Sequence, residues 1–158
     1  MALTAVATVL PPAIPVLLAA VLAALTDRRI AHGVGFLAVA TVLGWVLVVP
    51  TGLHLPASFL GFDVVLFNVD ATSRLLGFIF ALIGSVAIVY AAATGAERTT
   101  IAFALAYVGT SLGAVFAGDW LTLVFYWELM ALTSTLLVWE HGGQAVRAGF
   151  RYAVLHAI

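Results

Sequence analysis

The residue best suited to chemistry is Glu128, which sits in the run Trp120–Trp139, eight residues from one end and eleven from the other, among apolar and small polar neighbours. In a membrane-spanning helix that position is near the bilayer midplane, where even forgiving insertion scales give a cost of about 2.5–3.5 kcal/mol for an acidic side chain. Such a group is tolerated only where it faces the protein interior and meets a partner or water. Desolvation favours a neutral carboxyl and a nearby cation favours a carboxylate, so a group poised between the two can take up and release protons. The alternative role is a neutral glutamic acid that hydrogen-bonds to a neighbouring helix and holds it in place.

His156 joins Glu128 by counting. Glu128 lies fourteen residues before Gly142, at the centre of a turn, and His156 lies fourteen after it. Two antiparallel helices leaving one turn rise equally per residue, so the two groups reach about the same depth. Histidine titrates near neutral pH and suits a proton relay; the spacing leaves open whether the two faces meet. Tyr152, one turn before His156, and Thr133, Ser134 and Thr135 near Glu128 could carry a proton along the same route. Hydroxyls in helix bundles more often serve packing.

Other patterns lead nowhere. Gly33-Val-Gly35-Phe-Leu-Ala38 spells the dinucleotide fingerprint G-x-G-x-x-A, but it runs into an apolar span instead of following a strand. His32, His54 and His141 fall in loops on different faces, so neither a haem with paired axial ligands nor a metal site is expected within the chain. Ser85, Ser111 and Ser134 have no adjacent base. There are no cysteines, which excludes disulfides, thiolate ligands and cysteine nucleophiles. No catalytic residue, cofactor or metal is expected, and no enzyme activity of the chain itself.

The elements that must position Glu128 follow from composition. The 158 residues are 65% hydrophobic and 8% charged, with a mean hydropathy of +1.21. Soluble domains carry about a quarter charged residues, so these charges are too few to coat a water-facing surface. A net charge of −1 with no basic run offers nothing to nucleic acid. A bilayer core needs about 20 apolar residues in helix, and five stretches answer to that: Leu3–Leu25, Val34–Pro50, Thr72–Ala93, Ile101–Ala117 and Trp120–Trp139. A sixth opens near Ala145 and is too short to cross by Ile158, so the expectation is a chain that needs helices supplied from elsewhere. Residues 1–158 then form a single transmembrane domain, the N-terminal part of a larger bundle.

The first span is not a secretory signal, because nothing charged precedes Asp27. Arg28, Arg29, Arg98 and Arg147 fall in loops on one side, with Arg151 just inside the sixth helix, and only Arg74 falls on the other. The asymmetry predicts an N-terminus outside and those loops in the cytoplasm. Pro11, Pro12 and Pro15 are expected to kink or open the first helix. Thr51–Asn68 is the longest non-spanning stretch, and Phe62–Val69 within it reads as a short extended segment. Asp70 precedes Ala71-Thr72-Ser73 and is a good N-cap for the third helix; Arg74, four residues on, can pair with it on one face. Asp119 is likewise read as the cap of the fifth helix.

These residues carry a family resemblance. The run Gly118-Asp119-Trp120-Leu121-Thr122-Leu123-Val124-Phe125-Tyr126-Trp127-Glu128-Leu129-Met130, continuing through Ser134 to Leu137-Val138-Trp139, resembles the fifth-helix signature of the antiporter-like membrane subunits. Those subunits occur in respiratory complex I and in multisubunit Mrp-type cation/proton antiporters. Val69-Asp70 with Ser73 resembles the family's V-D-x-x-S start of the third helix. Arg147-Ala148 and Arg151-Tyr152 with His156 resemble the start of its sixth.

The resemblance implies the first third of a fourteen-helix, all-α polytopic bundle with two inverted repeats, here five full transmembrane helices plus the start of a sixth. It implies that Glu128 matches the family's proton-transfer glutamate, whose partner is a lysine in a seventh helix beyond Ile158. The wording around Glu128, with Met130, Ser134, Trp139 and Arg151-Tyr152 followed by His156, looks closer to the D-type Mrp subunit than to the complex I subunits. The expected function is then a subunit of a monovalent cation (Na+)/proton antiporter in a prokaryotic inner membrane, multi-pass, with partner subunits that bring the missing helices and the lysine. Two alternatives remain: a proton-pumping membrane subunit of a complex I-like NADH:quinone oxidoreductase or membrane hydrogenase, and a non-transporting scaffold.

Overall fold

Six helices and one β-hairpin follow one another through residues 10–52 and 54–156, which the computed structural model describes. They are α1 (Ala13–Leu25), α2 (Arg28–Val48), β1 (His54–Phe59), β2 (Phe62–Asn68), α3 (Ala71–Ala93), α4 (Arg98–Val115), α5 (Trp120–Trp139) and α6 (Gln144–His156). Three of them, α2, α3 and α5, are long and apolar enough to cross a membrane. Five full spans are expected from the sequence, and the structure is coarser than that. The first half of the expected span Leu3–Leu25 falls largely outside the described residues, and what is described is a helix of 13 residues. Helix α4 has 18 residues and opens on Arg98-Thr99-Thr100, whose polarity shortens its apolar part.

The helix at the centre is α4, which packs against α1, α2, α3 and α5. Its buried residues include Gly109, Thr110, Ser111 and Gly113 beside Ile101, Leu105 and Leu112. A helix surrounded by helices has no lipid to face. It can therefore carry small and hydroxyl side chains, which let backbones approach closely. The hydroxyls of Thr110 and Ser111 donate to carbonyls one turn back, at 3.0 and 2.7 Å, so no buried O–H is left without an acceptor.

Helix starts are set by acids. Asp70 and Ser73 form a capping box: Ser73 N–H donates to Asp70 Oδ1 at 2.7 Å, and Asp70 N–H donates to Ser73 Oγ at 2.8 Å. Asp27, with ψ 154, breaks the chain before α2, which begins at Arg28 and not at Val34 as hydropathy predicts. The polar first turn of α2 is held at the bundle's end, where Arg28 donates to Gly95 O (3.4 Å) and His32 to Ala96 O (2.9 Å). Gly33 through Ala38 lie inside this helix, with no strand and turn before them. The prolines open α1 over its described residues: Pro12 is its N-cap and Pro15 lies in its first turn, where the missing N–H costs nothing.

The chain is not all-α. Phe62–Asn68 pairs antiparallel with His54–Phe59 through a two-residue turn, whose Leu60 and Gly61 have φ of 51° and 86°, both left-handed as a type I′ turn requires. Pro56 hides β1 in the sequence, since proline removes a ladder donor. The structure accommodates it at a β-bulge beside Leu55. The hairpin lies over the turn between α4 and α5. Gly118 N–H donates to Val65 O (2.9 Å) and Asn68 N–H to Phe116 O (2.8 Å). Beneath it, Trp45 of α2, Phe67 of β2 and Phe116 meet with ring centroids 5.5–5.8 Å apart.

Candidate functional site

The rotation of α5 decides where Glu128 points. On α4, Gly113 leaves room for the Tyr126 ring, which a Cβ there would overlap. Tyr126 therefore faces the bundle centre. Two residues later the helix has turned about 200°, so Glu128 faces away from the centre and is exposed. Thr133 of α5 stays on the α4 side, with its hydroxyl 3.3 Å from that of Thr110.

Helix α6 packs against α5 on the flank next to Glu128. Gly149 makes that approach possible, since a Cβ there would overlap the Trp139 indole. The two helices leave a groove of about 210 Å³ lined by Glu128, Ala131, Leu132, Thr135 and Trp139 from α5 and by Ala153 and His156 from α6. The two titratable groups placed at equal depth by counting thus line one groove. Among the described residues the one ion pair is Arg28–Glu97, an exposed contact of 3.6 Å, so Glu128 has no cationic partner there.

The imidazole is oriented by its own helix. His156 Nδ1 is 3.1 Å from Tyr152 O. A carbonyl can only accept, so Nδ1 carries the proton and Nε2 is left as the basic nitrogen. The Tyr152 ring lies against the imidazole, with centroids 4.2 Å apart, and its hydroxyl is 3.0 Å from Ser134 Oγ. Ser134 and Tyr152 therefore join α5 to α6 just beside the groove. Thr135 lines the groove, but its hydroxyl donates to Ala131 O at 2.7 Å. The sequence names these hydroxyls without deciding among them. Trp139 it leaves out of the site altogether, since nothing in the spacing relates an aromatic residue at the helix end to Glu128.

Asp70 and Arg74 are apart from this groove. Asp70 caps α3 as described; the Ser73 N–H, against an opposing contribution from desolvation, holds its carboxyl below the ordinary range. The alternative pairing with Arg74 is not made. The Arg74 guanidinium donates to Leu47 O at 2.9 Å instead, because the last carbonyls of α2 have no donor within their own helix.

Asp119 does more than the predicted capping. Its Oδ1 accepts from Leu121 and Thr122 N–H at 2.8 and 3.0 Å. Its Oδ2 accepts from Thr122 Oγ1 at 2.8 Å and from Val65 N–H of the hairpin at 2.6 Å. Desolvation raises this carboxyl's pKa, and the four donors outweigh it, so the net shift is downward. His54 and His141 each lie 3.2 Å from a nearby backbone carbonyl, and neither lines the groove.

Comparison of the sequence with protein-family models gives no match, and comparison with curated proteins gives no significant one.

Proposed function

We propose that this chain is a subunit of a multisubunit monovalent cation (Na+)/proton antiporter of the Mrp type, in which Glu128 takes up and releases the transported proton and His156 shares its path. The observation that carries the reading is Glu128 itself. It is a carboxyl midway along a membrane-length helix, exposed in the groove it shares with His156, with no cation beside it among the described residues. Turned to lipid, that group would cost about 2.5–3.5 kcal/mol. Further helices of the complex therefore cover the groove and bring a cation, a membrane lysine in the resembled family, to Glu128. The bundle has five spans with the N-terminus outside a prokaryotic cell membrane, so the Arg28, Arg98 and Arg147 end is cytoplasmic.

The decisive experiment is Glu128→Gln in the assembled complex. Glutamine keeps the shape and hydrogen-bonding capacity but cannot titrate. Proton-coupled transport, read as collapse of a pH gradient on adding Na+ to vesicles from an antiporter-deficient host, falls to background while the complex is recovered at native yield. Glu128→Asp, which keeps the acid one methylene shorter, retains part of the activity. Native-rate transport by Glu128→Gln overturns the relay. Loss of assembly favours the scaffold role, with Glu128 as a packing contact.

A further inference from the structure

A second site lies at the opposite end of α6 from His156. Arg147 and Arg151 line an open cleft of about 610 Å³ with Gly143, Gln144 and Ala148. They are four residues apart, so their guanidinium groups rise from one face of the helix. Both are exposed. Among the described residues neither has an ion pair or hydrogen-bond partner, a state that only Arg29 of the other four arginines shares. Arg28 is engaged by Gly95 O and Glu97, Arg74 by Leu47 O and Arg98 by Thr26 O.

Two features say what the pair meets. The first is depth. Gly149 sits directly against the Trp139 indole, and an indole at the end of an apolar span marks the boundary between hydrocarbon and headgroups. Gly149 lies between the two arginines, so they straddle that boundary about 6 Å apart along the axis. That separation matches the thickness of one headgroup layer. The second is the neighbouring row of α6. Val146, Phe150 and Val154 are 45%, 62% and 41% exposed and run parallel to the arginines, about 100° around the helix. A basic pair at the boundary, beside an apolar row that starts at the same level and continues deeper to Val154, fits a molecule with a negative head and apolar tails.

We propose that Arg147 and Arg151 bind the phosphate headgroup of an anionic glycerophospholipid, with its acyl chains running from there along Phe150 and Val154. Guanidinium forks match phosphate oxygens in paired hydrogen bonds, which an ammonium does not reproduce. The site does not depend on the transport reading. It would hold equally in a scaffold subunit.

The test is native mass spectrometry of the full chain in a neutral detergent. It is titrated with phosphatidylglycerol, with phosphatidylcholine of the same acyl chains, and with inorganic phosphate. Each basic group near an anionic lipid surface contributes about fivefold in affinity, so the pair gives phosphatidylglycerol on the order of a 25-fold preference over phosphatidylcholine. Arg147→Gln with Arg151→Gln abolishes that preference. Arg28→Gln with Arg98→Gln, at the same end of the bundle, leaves it. Should the double glutamine variant fail to fold, Arg147→Lys with Arg151→Lys keeps the charge and loses the forks, and the preference falls to an intermediate value. Equal binding of both lipids overturns the proposal. A preference that survives the glutamine variant also overturns it. Displacement of phosphatidylglycerol by millimolar inorganic phosphate makes the site one for free phosphate, not lipid.

Discussion

At the scale of single residues, Asp119 shows how one carboxylate can join two elements. It satisfies two of the N–H groups that open α5 and a hairpin N–H that would otherwise have no acceptor. Asp119→Ala removes all of these, and loss of a cap together with a stranded donor costs about 2–3 kcal/mol. Reversible unfolding in mixed micelles measures it. Asp119→Asn, which keeps one carbonyl oxygen, loses less. The carboxyl's lowered pKa sets the pH dependence. A depressed folded pKa gives stability that is complete above the unfolded value, about 4, and is lost as pH falls through the folded one. The hairpin should therefore loosen only in acid, and Asp119→Asn should flatten that part of the profile. The cap was legible in the sequence, since Asp119 directly precedes an apolar run. The tie to Val65 was not, because nothing local relates two residues so far apart in the chain. Glu128 and His156 were legible as a pair at one depth; that they share a groove depended on the rotations of α5 and α6. Tyr152→Phe tests the finer geometry: it removes the Ser134 bond and keeps the ring beside His156. On the proposed function, transport by the complex should fall less than with Glu128→Gln.

At the scale of elements, those rotations come from glycine. Gly113 admits Tyr126 and Gly149 admits Trp139, and together they fix which side of α5 carries Glu128 and how closely α6 approaches. Gly113→Leu must displace Tyr126, and overpacking of this kind costs about 1–3 kcal/mol. The expected result is a lower melting temperature in detergent and, on the proposed function, a loss of transport by the complex with Glu128 unchanged. A thermal midpoint equal to that of the native protein would show that Tyr126 does not set the rotation. Sequence patterning located α3 and α5 to within a residue, because each pairs an acidic cap with a long, largely apolar run. It was less successful with α2, whose first turn is helical but charged, and with β1, whose proline argued against a strand. The lower hydropathy of α4 had a cause invisible to the sequence alone, its place at the bundle's centre.

At the scale of the whole molecule, the arginine asymmetry predicts sidedness. The chain has no cysteine, so single cysteines can be read cleanly with an impermeant reagent. Ser58→Cys on the hairpin should label from outside intact cells, and Glu97→Cys, between α3 and α4, only after permeabilisation; the reverse pattern would invert the orientation. The docked hairpin also imposes an order on biosynthesis. It is made between α2 and α3, yet its resting place, Phe116 to Asp119, is translated only after α4. For roughly fifty residues of synthesis the two strands stand outside the membrane with Val65, Phe67 and Asn68 uncovered. The α4–α5 turn then arrives to receive them. Nascent chains arrested before Trp120 should be cut by protease within the hairpin, and chains extended through α6 should resist.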